Sequence, residues 1–477
     1  MARIDNLTNF LTDVATSIRT KKGTTNKIAP KDFDTEIESI QSGGGTPNLQ
    51  EKSVTITENT TTEIIADSDY DGLSKVSVTT NVAGGGFDEY FNVNNIVPAQ
   101  NGWQKVTKSL PQITLDTQGN FSLYRFFMNA PFHEIIQPFA NTDDCTDTSG
   151  MFYQCSLLTR LDLSNFNTRN VTKMNEMFYA CSSLTSLDLS NFDTSKVTNM
   201  SSMFQNCSKL TTLDLSNFDT SKVTTVSNMF QNCNSLEQIN IKKWKLNSAT
   251  SMYYMFQNCN KLKEINFSEA NAQPTSSCFG LFSGCRALTN VDISGINFSK
   301  CPQLYNMFEG CNSLTSLDIS SLNTSSATSL SGMFSGCKSL TSLDVSTLDT
   351  SKCTSLSSMF QGCNSLADID ISMFNINKVK DISYMFGGCS KLTALDLSVF
   401  NTNIITNVSG LFNGCVNLRH IDMRNFDFTK VTSYGDMFGY RQLVPADCEI
   451  IVKDDAAKTW ITSKFSRLTN VKTVAEL

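Results

Sequence analysis

Sixteen cysteines and two histidines are the side chains best equipped for chemistry, and their spacing decides what they can do. Eleven of the thiols, Cys155, Cys181, Cys207, Cys233, Cys259, Cys285, Cys311, Cys337, Cys363, Cys389 and Cys415, recur at a constant step of 26 residues. No CxxC pair occurs, and His133 and His420 stand far apart. Metal sites draw thiols and imidazoles together at short spacings, and a nucleophile needs a base beside it. Neither arrangement is present in the sequence, so the expectation is no catalytic residue, no metal ligand, no cofactor and no enzymatic activity. One thiol per period is the signature of a small apolar side chain in a fixed slot. Neighbouring rungs about 4.8 Å apart also exceed the roughly 3.5 to 4.5 Å between Cβ atoms that a disulfide spans, so free buried thiols are expected.

Numbering each period from its Met-Phe or Leu-Phe pair, position 12 is Asp in Asp162, Asp188, Asp214, Asp292, Asp318, Asp344, Asp370, Asp396 and Asp422, with Asn240 and Asn266 completing the column. Carboxylates stacked this closely repel by about 1 kcal/mol per pair in water, so hydrogen bonds from the Thr and Ser columns at positions 9 and 14 are expected to hold them. A cation-binding face is the lesser alternative. Columns that vary can encode recognition without disturbing the stack. The least regular stretch brings Lys242, Lys243, Trp244 and Lys245 together, followed by Tyr253 and Tyr254, and these six residues form the candidate ligand patch. Trp244 falls in the apolar position 16, so core burial competes with a ligand role.

The elements that position these columns follow from the period itself. Met-Phe or Leu-Phe opens each unit from Met151 to Leu411, and a partial unit opens at Met437. In the unit beginning at Met177, apolar residues fall at positions 1, 2, 5, 8, 11, 13, 16, 21 and 24. Leu184, Leu187 and Leu189 form an LxxLxL phrase whose alternation predicts a short strand, and Thr194 to Met200 alternates weakly enough to suggest a second. One such unit buries its apolar face only against its neighbours. The fold class expected is therefore mainly β, a leucine-rich-repeat-type solenoid of about eleven 26-residue units over residues 151–436, preceded by a small helical segment and a small β module.

The phrase LTSLDLSNFDTSKVTNMSSMFQNC resembles the BspA-like leucine-rich repeat family of bacterial surface proteins. That resemblance implies adhesion or recognition. An ordinary leucine-rich repeat carries Asn or Cys where this chain has Phe166, Phe192 and Phe218, which predicts an aromatic spine at that position.

Around the array, residues 1–42 read as a helical attachment segment on the spacing of Ile4, Leu7, Phe10, Leu11, Val14 and Ile18, and residues 47–82 as a small β module. Residues 87–150 read as a connector and amino-terminal cap in which Phe126, Phe132 and Ile135 echo positions 2, 8 and 11. Residues 437–477 read as a carboxy-terminal cap with Trp460 as its plug. The order of phrases in residues 1–82 resembles the leading segment of tail and appendage proteins of tailed bacteriophages. Together the two resemblances imply a virion tail appendage, a fibre or receptor-binding protein. Residues 1–82 would attach to other tail proteins, and the solenoid would bind a host-surface glycan or protein. The alternative is a bacterial cell-surface adhesin of the BspA-like type. Self-association into a homo-oligomer stays open. With 38 Lys and Arg against 45 Asp and Glu the net charge is −7, which argues against nucleic acid as a partner. MARIDNLTNF lacks the basic stretch and apolar run of a secretion signal and no 18-residue apolar run follows, so no unaided membrane insertion is expected.

Overall fold

The computed structural model describes residues 49–56, 72–80, 112–117, 121–130, 133–136, 138, 142–241, 243–440 and 443–477. The expected amino-terminal helices, the strand expected at Ile64 and Ile65, Phe132 and Lys242 lie outside these residues. The chain forms two compact units, Met1–Asp219 and Thr220–Leu477. Each is a mainly β parallel arrangement, and among the described residues the α-helix is α1, Asp455–Lys464.

In the first unit, β1 (Leu49–Ile56), β2 (Gly72–Thr80) and β3 (Gln112–Thr117) form a parallel sheet in the order β1-β2-β3. The third strand comes from the stretch read in sequence as connector. Coils of the array follow. Strand β4 (Phe121–Ser122) pairs with β6 (Cys145–Asp147), and β5 (Glu134–Ile136) with β7 (Arg160–Asp162), Ile135 lying opposite Leu161 as the period requires. The echo at Phe126 is displaced by one residue. Phe127, not Phe126, stacks on Phe152 with centroids 5.3 Å apart, and so begins the aromatic column of this unit.

In the second unit, three-residue strands at positions 10 to 12 recur as β9 (Gln238–Asn240), β10 (Glu264–Asn266), β11 (Asn290–Asp292) and β12 (Ala394–Asp396). The coils at 316–318, 342–344 and 368–370 pass the same place without pairing as strands. The expected second strand shrinks to one bridge per coil at position 23, as in Gln303 to Ser329 and Ser329 to Ser355. A turn replaces the rest, since the residue at position 21 donates its N–H to the carbonyl at position 18, as Cys353 does to Thr350 at 2.9 Å. The period-two pattern is real, but the backbone hydrogen bonds close locally and no ladder can form.

The core is a set of ranks. Phe230, Phe256, Phe282, Phe308, Phe334, Phe360, Phe386, Phe412 and Phe438 stack coil on coil with centroids 5.2 to 6.4 Å apart. Each pair adds about 0.5 to 1.5 kcal/mol beyond area burial. The spine thus runs at position 2. The one expected at position 16 exists in the first unit, where Phe166, Phe192 and Phe218 stack at 6.2 and 6.4 Å, and in the second gives way to Trp244, Ala270, Ile296, Leu322 and Leu348. At the carboxy-terminal end, β13 (His420–Met423), β14 (Glu449–Val452) and β15 (Val471–Thr473) continue the parallel sheet from β12. Helix α1 is capped by the Asp454 carboxylate, which accepts from the Ala457 N–H, and lays Trp460 on Phe428 with centroids 4.3 Å apart. The plug is where sequence placed it.

Candidate functional site: an outward aromatic ridge

Most polar columns are consumed by the stack. All sixteen cysteines are free and buried. Each position-5 thiol whose partner lies in its own unit points back at the preceding coil and donates to the Phe carbonyl there. Cys181 reaches Phe152 O at 3.2 Å, Cys285 reaches Phe256 O at 3.0 Å and Cys415 reaches Phe386 O at 3.1 Å. Burial pushes Cys155, Cys207, Cys285, Cys363 and Cys415 up to about 12, so these thiols are neutral donors and poor nucleophiles.

The aspartate column is likewise structural, though not in the way expected. Its Oδ1 atoms accept from the backbone N–H two residues on, as in Asp318 to Ser320 and Asp344 to Ser346, both 2.9 Å. These hydrogen bonds hold the carboxylates below their usual range. Asn266 makes the same turn at 2.8 Å, which is why Asn can replace Asp there. Sequence reasoning missed a third column. The buried Thr at position 18 grips the next coil with both hydrogen-bonding functions: the Thr350 hydroxyl donates to Asn375 O at 2.9 Å and accepts from Asn375 N at 2.7 Å.

What remains outward lies around the Met-Phe corner. Backbone N–H groups at positions 26, 2 and 4 donate to the next coil, as Tyr254 to Phe279 O (3.1 Å), Phe256 to Leu281 O (3.0 Å) and Asn258 to Ser283 O (2.7 Å). To do so the chain enters the left-handed region at positions 26 and 4, with φ +53° at Tyr254 and +60° at Asn258. This alternation buries the Met and Phe side chains and turns those at positions 25 and 3 toward solvent.

In the second unit position 25 carries Tyr253, Phe279 and Tyr305, half-buried and stacked at 5.1 and 4.7 Å with planes 7° apart. Tyr254 closes edge-on against Tyr253 at 6.2 Å and Phe279 at 4.7 Å. One coil before the stack the same position holds Ser227, and one coil after it Ser331, so a four-ring ridge rises from a serine column. Burial and the neighbouring Tyr254 push the Tyr305 hydroxyl up, keeping it a neutral donor. The first unit has a smaller counterpart, Tyr153 stacked on Tyr179 at 4.5 Å beneath the Arg125 guanidinium, which sits 4.8 Å from the Tyr153 ring centre and 3.2 Å from Glu176 Oε2.

Of the six residues in the sequence patch, the structure brings together Tyr253 and Tyr254. Trp244 is 1% exposed and packs 6.4 Å from Phe230, so its ring is part of the core and presents no face to a ligand. Lys243 is exposed, and Lys245 donates to Glu269 O at 2.9 Å. Neither lysine sits over a tyrosine ring. Phe279 and Tyr305 were the missing members, and the signal for them was the step from Tyr253 by 26 and again by 26.

Residues 120–214, 180–292, 276–394 and 338–450 match the family described as Mycoplasma protein of unknown function, DUF285. Among solved structures the chain is similar to a leucine-rich repeat protein from Bacteroides ovatus, at 17% identity over 79% of this chain and 94% of that one with a TM-score of 0.44. It is also similar to a leucine-rich repeat protein from Leptospira interrogans, at 14% identity over 84% and 89% with a TM-score of 0.26. No curated protein matches the chain.

Proposed function

Since the chain belongs to the DUF285 family and folds as a parallel β solenoid of leucine-rich-repeat type, we propose that it is a non-catalytic recognition and adhesion protein of BspA-like kind. The observation that carries this reading is the ridge of Tyr253, Tyr254, Phe279 and Tyr305, four rings held rigidly on an outward corner where the coil needs none of them for its core. Rigid aromatic side chains supply contact area at low entropic cost and dominate binding energetics. The thiols, carboxylates and threonines support a binding role over a catalytic one, because each is engaged in holding coil to coil.

The finer reading is a phage tail appendage. Residues 1–82 attach to other tail proteins, and the solenoid meets a host-surface glycan or protein. A bacterial cell-surface adhesin is the second reading, favoured by the repeat phrase itself. Mass spectrometry and immunogold labelling of purified virions separate the two. The appendage reading expects the protein at the tail tip, and infectious particles that lack it would overturn that assignment, as would native protein found in washed cell envelopes.

A further inference from the structure

Position 26 is left-handed in most coils, and the chain fills it largely with Asn, Ser, Gly or Asp, residues that tolerate or favour that conformation. Tyrosine stands there twice, in Tyr254 at φ +53° and Tyr384 at φ +55°. A bulky side chain is strained in this region and persists only where something offsets the strain. For Tyr254 the offset is visible in its edge-on contacts with Tyr253 and Phe279. Tyr384 has no such partner. Among the described residues it makes no ring contact, and its hydroxyl makes no hydrogen bond.

What Tyr384 does is wall a groove. Its ring lies across Gly410, where an added Cβ would fall 2.2 Å from its Cε1, and beside Gly387 at 3.3 Å from its Cδ1. The groove, about 250 Å³ and open on one side, is lined by Tyr384, the carboxamides of Gln361 and Asn413, and four glycines. Two of the floor amides are already spent on the next coil, Gly362 N–H on Gly387 O at 2.6 Å and Gly388 N–H on Asn413 O at 2.5 Å. Hydrogen bonding to a ligand must therefore come from Gln361, Asn413 and the Tyr384 hydroxyl, and none of these side chains has a partner within the described chain.

We propose that this groove is a subsite for a single neutral sugar ring, an inference that rests on the recognition reading above and names its ligand chemistry. A pyranose offers an apolar C–H face for the tyrosine and a rim of hydroxyls that both donate and accept, as a carboxamide does. No lining residue is charged, so a phosphate or acidic sugar finds no counter-ion. No lining side chain is aliphatic, so an apolar protein anchor finds no desolvating pocket. The volume lies below the roughly 300 to 1,000 Å³ of drug-sized pockets, which fits one ring.

The test uses saturation-transfer NMR on the full chain with the methyl glycosides of glucose, galactose, mannose and N-acetylglucosamine. Each is supplied tenfold above the Kd of about 1 mM that so small a ligand commands. Saturation should reach the ring C–H protons of at least one glycoside, fall tenfold or more in Tyr384→Gly and fall severalfold in Gln361→Ala. Tyr384→Gly should unfold at the same or a higher temperature than the parent, because the strained ring is gone, so the lost signal is not lost structure. No transfer to any glycoside, or transfer undiminished in Tyr384→Gly, overturns the subsite. Adsorption to target cells, measured on the same preparations, keeps the two readings apart. Cell binding retained without a sugar signal overturns the subsite alone, whereas its absence overturns the recognition reading on which the subsite rests.

Discussion

Alkylation of Cys285 in the native protein should run about three orders of magnitude slower than alkylation of the same thiol in the unfolded chain. Burial pushes this thiol up to about 12, and its Sγ is 3.0 Å from Phe256 O with no accessible surface. At pH 8 a group titrating near 12 is thiolate to roughly one part in 10⁴, whereas an ordinary thiol near 8.5 is thiolate to roughly 0.2, a ratio of about 2,000. Exclusion of reagent slows the native reaction further, to the rate at which the coil opens. The assay is a series of iodoacetamide pulses on native and on denatured protein at pH 8, read by peptide mass spectrometry, with circular dichroism confirming the fold through each pulse. Modification of native Cys285 within tenfold of the denatured rate would refute the reasoning, because a thiol that reacts so readily is neither buried nor donating to the neighbouring coil.

Thr350→Val keeps the shape but leaves the Asn375 N–H and C=O without their shared hydroxyl, so urea unfolding should show a loss of about 2 to 3 kcal/mol; a loss below about 0.5 kcal/mol would contradict the clasp. Gly410→Ala should lower Tm through collision with the Tyr384 ring, and much of the loss should disappear in the Tyr384→Gly background, where only the cost of an alanine at φ +61°, about 1 to 2 kcal/mol, remains. The carboxylates of Asp318, Asp344 and Asp370 are held low in the folded protein, so their stabilisation is present above the ordinary carboxylate range and is lost as pH falls through their lowered values. Tm should hold from neutral into mild acid and drop below that range. The triple Asp→Asn variant should flatten the acid limb, since Asn266 makes the same turn without a charge. Trp244→Ala should cost about 3 to 5 kcal/mol, as for a ring deleted from the core and not from a ligand patch.

The solenoid was legible because its ranks repeat in kind as well as in spacing. Met255, Phe256, Cys259 and Leu262 are all buried, and the same offsets bury Met307, Phe308, Cys311 and Leu314. Trp244 was legible by column as core and misleading by neighbourhood, with lysines on both sides drawing it toward a ligand patch. The segment from position 18 to 24 misled for another reason. A threonine that clasps the next coil looks, in sequence, like one more polar step in a strand. The ridge was only half visible. Tyr253 and Tyr254 stood out as a pair, but nothing in residue types announces that positions 25 and 26 face outward, since that follows from left-handed backbone at position 26. Tyr384 was invisible to pattern reading for the same reason: its significance lies in a φ of +55° and in the glycines around it.

Adsorption of the purified full chain to susceptible cells, compared with a Tyr253→Ser, Phe279→Ser, Tyr305→Ser variant, tests the central claim most directly. The three replacements restore the serine that neighbouring coils already carry at that position, so circular dichroism and Tm should change little. Loss of most cell binding with the fold intact is the predicted result. A variant that binds as tightly as the parent would contradict recognition through the outward aromatic corner of the stacked coils.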